Sequence, residues 1–214
     1  MKRIVYGILL CVLFIVQPVK ANHTISQWFA LLPDSVMPLL TRNNRLDLID
    51  FKACGMEATV TNRMDGNSCM SILTDNYLHL NYTASTDVEM KLLTLNDSTD
   101  VICVVTTVDG TVKDSRISFY DVEWKPLDMN SFFNKPTLRD FYPANSKVIA
   151  ELLWQKVDVF FCTYHLSADT TALECRLTSI DNLFSDDKDL IMTYLGEQTF
   201  ITYSWLEGKF CKDE

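Results

Sequence analysis

An α+β fold is predicted by two changes of pattern along the chain. Helical spacing of apolar residues fills the stretch before Gly55, and strict alternation replaces it afterwards. Turn-forming groups then recur every few residues, which means short strands paired antiparallel. A second, smaller section of helices and strands follows, beginning near residue 145. The predicted architecture is therefore N-terminal helices, an antiparallel β meander, and a smaller helix/strand section.

The elements follow in order. Ile25, Trp28, Phe29 and Leu32 share one helical face, and Pro33 ends that helix. The stretch Pro38–Phe51, PLLTRNNRLDLIDF, crowds two asparagines and two arginines between apolar runs. Asn44 suits an N-cap, Asp47 and Asp50 lie near the positive helix end, and Gly55 suits a stop. A helix from about Arg45 to Cys54 absorbs nearly all of it, with Leu46, Ile49 and Ala53 as its apolar row and Leu48 and Phe51 beside it. Arg42 and Asn43 are left over.

Strands are predicted at Met56–Val60, Met70–Leu73, Tyr77–Tyr82, Val88–Thr94, Val101–Val108 and Arg116–Asp121, with turns at Asp65-Gly66-Asn67, Asp75-Asn76, Asn96-Asp97-Ser98 and Asp109-Gly110. From Trp124 to Ala144 three prolines interrupt the pattern, around a short helix near Leu138–Tyr142. A helix over Lys147–Gln155 with Val148 and Leu152 on one side comes next. It is followed by a hairpin of Val157–Leu166 and Ala172–Thr178, a helix Asp186–Leu195 capped by Ser185 and stopped by Gly196, and a last strand Gln198–Leu206. One α+β domain over 22–214 is expected, with two lobes at about 22–125 and 145–214 as the variant.

The N-terminus reads as a secretory signal peptide. Lys2 and Arg3 precede an apolar run from Ile4 to Val16, Pro18 breaks it, and Val19 and Ala21 fit signal peptidase, so cleavage is expected between Ala21 and Asn22. The run is shorter than the ~20 residues of a membrane span, so no span is expected after cleavage, and the chain is placed in the periplasm or outside the cell. The segment removed carries Lys2, Arg3 and Lys20 and no acid, so the mature chain is more acidic than the formal net charge of −9. Such a surface disfavours nucleic acid.

Six cysteines remain after cleavage, in a compartment that permits disulfides. A hairpin turning at Asp169 sets residue 176 opposite Cys162, and a turn centred between Ala168 and Asp169 sets Cys175 there; either way the two side chains are expected on neighbouring strands as the candidate disulfide. The alternative is two buried thiols packed as small hydrophobes. No CxxC pair supports a zinc ribbon or a redox motif.

Chemistry is otherwise sparse. There is no G-x-S-x-G elbow, and His23, His79 and His165 lack metal-ligand spacing. The acids Asp186, Asp187 and Asp189 suit a helix start better than a calcium loop. Trp28, Trp124, Trp154 and Trp205 offer either sugar stacking or core packing. No catalytic residue, cofactor or metal is assigned.

Several segments carry a resemblance: LTRNNRLDLIDF, CMSILTDNYLHL, VEMKLLTLNDS, VICVVTTVDG, DSRISFYDVEWKPL and TYSWLEGKF. In that order they resemble a secreted family of Bacteroides-group bacteria catalogued as domain of unknown function 3256. The resemblance spans about Trp28 to Phe210 and implies an envelope location without implying an activity.

Together these features lead to a non-catalytic periplasmic or exported binding or accessory protein, its partner a macromolecule or glycan of the cell envelope. A hydrolase acting on envelope glycan or peptide and a structural accessory of an outer-membrane assembly are the alternatives. A cleft with converging Asp, Glu or His favours the enzyme, whereas an open sheet edge or an exposed aromatic patch favours binding.

Overall fold

A computed structural model describes residues 23–96, 99–142, 146–195 and 199–213. The predicted cleavage site at Ala21 and Asn22 lies outside the described residues, as do parts of the turns expected at 97–98 and 196.

Helix α1 spans Ile25–Leu31 and α2 spans Arg42–Ala53. The second helix starts a turn earlier than an Asn44 cap implies. Thr41 is the N-cap: its Oγ1 accepts from the Asn44 N–H at 3.1 Å, and Asn44 Oδ1 accepts from the Thr41 N–H at 3.0 Å. Arg42 and Asn43, the apparent leftovers, fill the first turn. Gly55 ends the helix as expected, with φ +69° and paired reverse bonds from Gly55 N to Lys52 O and from Met56 N to Phe51 O. The buried face differs from the predicted row. Arg45 and Leu48 point inward, and Ala53 is exposed.

Seven antiparallel strands follow in sequence order as one meander: β1 Thr59–Thr61, β2 Asn67–Leu73, β3 Tyr77–Thr83, β4 Thr86–Asn96, β5 Thr99–Asp109, β6 Lys113–Tyr120 and β7 Pro126–Leu127. Two 3-10 turns, Met129–Ser131 and Leu138–Phe141, cross the proline-punctuated connection to α3 Lys147–Lys156. Then come β8 Cys162–Leu166, β9 Ala172–Leu177, a 3-10 turn Ser179–Asn182, α4 Ser185–Leu195, β10 Phe200–Leu206 and β11 Lys209–Lys212. The last four strands form a second antiparallel sheet in the order β11-β10-β9-β8.

Two predicted elements shift, and one is added. The strand expected from Val157 begins only at Cys162. Helix α3 buries Ile149 and Leu153, so Val148 is left exposed. Strand β11 is new, folded back by Glu207 and Gly208, whose φ values of 49° and 84° make the two-residue turn that hairpins favour.

The large sheet is buried on both faces, and β5 shows how. Its odd residues Val101, Cys103 and Val105 join one core, and its even residues Ile102 and Val104 join the other. On the even face lie α1 and α2, with Ile25, Phe29 and Leu48 against Leu78, Leu80 and Met90. On the odd face lies the second sheet, with Tyr164, Leu173, Cys175, Tyr203 and Phe210 around Phe133. Alternating side chains thus serve two cores through one strand.

Candidate functional site

On the even face the helices do not cover the whole sheet. Beyond them, β4, β5 and β6 form the floor of a half-open cradle of about 560 Å³. Register fixes its rows across the three strands: Thr86, Val108 and Asp114; Val88, Thr106 and Arg116; Met90, Val104 and Ser118. Tyr120 closes one end, and Tyr82 with the segment Ser35–Met37 forms the wall. Val88 and Met90 are almost fully covered, whereas Val108 is 51% exposed, so the deep end lies under the helical segment and the mouth at Val108.

The wall is held by buried polar chemistry. Arg45, 2% exposed, sends Nη1 to Asp34 Oδ1 at 3.1 Å and to Leu40 O at 2.7 Å, and Nη2 to Leu32 O at 2.5 Å. Arg63 Nη2 meets the other Asp34 oxygen at 2.7 Å. Arg45, followed by Arg63, holds the Asp34 carboxyl below its ordinary range, with partial desolvation opposing them. Leu39 N–H donates to Tyr82 Oη at 2.8 Å, tying the same segment to β3. From that knot of arginines and asparagines, Arg45 is therefore the anchor of the cradle wall. Arg116, in contrast, makes no hydrogen bond or ion pair with any described residue, so its guanidinium is unspent.

The histidines are not gathered in this cradle. His23 Nδ1 meets Gln27 Oε1 at the start of α1. His79 Nδ1 meets Ser71 Oγ on the odd face, where Ser71 is the extra residue of a bulge between Met70 and Ile72. His165 Nδ1 meets Glu89 Oε1 at 2.7 Å. Glu89 Oε2 also accepts from the Leu166 N–H at 2.6 Å, and Lys91 Nζ donates to Ser167 O and Ala168 O at 2.9 and 3.0 Å. These two charged side chains of β4, 7% and 1% exposed, dock the β8–β9 turn onto the large sheet. Their inward position escapes sequence reading because they alternate as if on a solvated face. Among the described residues no three His, Cys, Asp or Glu side chains are placed to hold a metal.

The docking has a pH signature. The Glu89 hydrogen bond raises the His165 pKa above 6.5, with desolvation opposing and the charges of Glu89 and Glu174 assisting. A raised folded value means the stabilisation is complete below the unfolded pKa and fades as pH climbs through the folded one. The His165 side chain is 63% exposed, so the effect on stability is small. An NMR titration is expected to show His165 titrating above 6.5 in the native chain and dropping toward that value in Glu89→Gln. Identical titration in both proteins would refute the contact.

The β8–β9 register puts Cys162 and Cys175 on neighbouring strands, as expected, but not directly opposite each other. Leu166 faces Leu173, so the turn centre lies between Asp169 and Thr170 rather than between Ala168 and Asp169. Cys162 therefore stands opposite Leu177, and Cys175 opposite Tyr164. The two side chains are diagonal neighbours on one buried face, and both are free thiols. The close Cys162 thiol, with burial, pushes the Cys175 pKa up. Native alkylation followed by mass mapping is expected to mark exposed Cys54 and to spare Cys103 and Cys175 until the chain unfolds. Equal labelling of Cys54 and Cys175 would contradict that packing.

The tryptophans divide. Trp124 is buried and donates to Trp28 O at 3.0 Å, and Trp205 donates to Thr94 O at 2.8 Å. Trp154 is 78% exposed on α3, and a separate hollow of about 430 Å³ is lined by Lys156, Asp187 and Phe184, the last 86% exposed.

These features define a two-sheet α+β protein with a ligand-sized cradle on the uncovered part of its larger sheet. The chain belongs to the family described as Protein of unknown function (DUF3256), whose model matches residues 17–210. A solved structure described as a domain of an uncharacterized protein from Porphyromonas gingivalis W83 is similar, with a TM-score of 0.78 at 28% identity. The similarity covers 88% of this chain and 98% of that one. No curated protein matches.

Proposed function

We propose that the mature chain is a non-catalytic binding or accessory protein of the periplasm or cell exterior, and that it takes its ligand on the β4–β6 cradle. The supporting observation is the cradle itself. It has the volume of a ligand site, its lining is mainly apolar with a few convergent polar groups, and one of those groups is a guanidinium without a partner among the described residues. Its lining contains one carboxylate, Asp114, and no histidine, which supplies no acid–base pair for hydrolysis. The location rests on the N-terminal pattern, and N-terminal sequencing of protein from the envelope fraction is expected to begin at Asn22.

The functional test is incubation of the purified mature protein with envelope glycans and peptides. The expected result is saturable binding without turnover. Turnover abolished by His79→Ala or Asp114→Ala, with circular dichroism unchanged, would overturn the binding reading.

A further inference from the structure

We propose that the cradle's ligand is an amphipathic monoanion, an apolar body carrying one carboxylate, with the carboxylate held by Arg116. This rests on the reading of the cradle as the binding surface and adds the ligand's chemistry to it.

The floor decides the body of the ligand. Its rows supply Val108 at the mouth and Val104 farther in, with Tyr82 and Tyr120 at the edges. Aliphatic side chains bury hydrocarbon well and offer a sugar no stacking plane. The Tyr82 hydroxyl is already occupied by the Leu39 amide. From Asp114 to Ser118 the floor runs about 14 Å along the strand, and three strands span about 10 Å across. An extended acyl chain fits within those limits.

The rim decides the charge. Arg116 lies in the middle row, flanked on its strand by Ser118 on one side and Asp114 on the other. Its cross-strand neighbour is Thr106, whose hydroxyl shares the row. A guanidinium fork matches a carboxylate with two parallel hydrogen bonds. A phosphate dianion calls for more positive charge than one arginine supplies. Asp114 stands two residues away on the same strand, in a chain of net charge −9, and repels a second negative charge. One negative charge is what this rim balances.

The test is titration of the isotope-labelled protein with octanoate, 1-octanol, acetate and octyl phosphate, followed by NMR. Octanoate is expected to saturate and to shift Val104, Thr106, Val108 and Arg116. 1-Octanol lacks the anion and acetate lacks the body, so each is expected to bind at least about tenfold more weakly. Arg116→Gln is expected to reduce octanoate binding to the level of 1-octanol, and Arg116→Lys to restore part of it. Arg116 is exposed, so neither change disturbs the core. Octanoate binding no tighter than 1-octanol, octyl phosphate binding tighter than octanoate, or indifference to Arg116→Gln would each overturn the assignment. If envelope glycans or peptides shift the cradle residues and octanoate does not, the ligand chemistry is wrong and the binding surface stands. If no probe shifts them, both are wrong.

Discussion

Arg45→Ala is expected to destabilise the protein by about 3 kcal/mol, lowering the melting temperature of a chain this size by about 9 °C. Arg45 is 2% exposed and satisfies two backbone carbonyls, Leu32 O and Leu40 O, besides its ion pair with Asp34. Truncation leaves both carbonyls without a donor in a site closed to water, and that penalty exceeds the net worth of the bonds themselves. Asp34 is 45% exposed and recovers hydration, so its share of the loss is small. Arg63→Ala is the control. It removes a pair whose members are 47% and 45% exposed, and a loss under about 1 kcal/mol is expected. Equal effects of the two substitutions in urea melts would mean that Arg45 is not the anchor of the cradle wall.

Phe133→Ala is expected to cost about 4 kcal/mol. Phe133 is 1% exposed between the sheets, and it meets Tyr164, Tyr203 and Phe210 edge-on at 5.4, 5.1 and 6.2 Å. Its backbone lies beside β11 in a parallel bridge to Phe210, and the Phe210 N–H donates to Phe132 O at 2.8 Å. The substitution therefore opens a cavity in the inter-sheet core where the connecting segment is stapled to the last strand. Trp205 stacks on Phe132 at 6.2 Å and meets Phe210 edge-on at 5.0 Å, so its environment is expected to change too. A shift of the urea midpoint worth less than about 1 kcal/mol would show that this aromatic cluster does not join the two sheets.

The meander was legible because its code is local. Alternation, β-branched runs and turn residues locate β2 to β6 within a few positions, and Pro33 and Gly55 end the two N-terminal helices. What local pattern does not reveal is which polar residues face inward. Glu89 and Lys91 alternate with Val88 and Met90 and read as a solvated face, yet a turn more than seventy residues away covers them. Arg45 reads as part of a helix start, because the carbonyls it satisfies belong to a loop whose path the sequence does not fix. Strand β11 hid behind a turn with a single glycine and only four residues. The cradle had one sequence signal: in β6, Asp114, Arg116, Ser118 and Tyr120 alternate with Ile117 and Phe119. That pattern marks a strand with a polar face, but only the fold shows that the helices stop short of it and that the loop over Ser35–Met37 turns it into a cavity.

Chemical-shift mapping of the protein against envelope-derived glycans, peptides and octanoate tests the cradle most directly. Progressive, saturable shifts are expected at Val104, Thr106, Val108, Arg116 and Ser118, with no product formed. Shifts confined to the hollow lined by Lys156 and Phe184, or to Ser71 and His79 on the opposite face with product appearing, would contradict it.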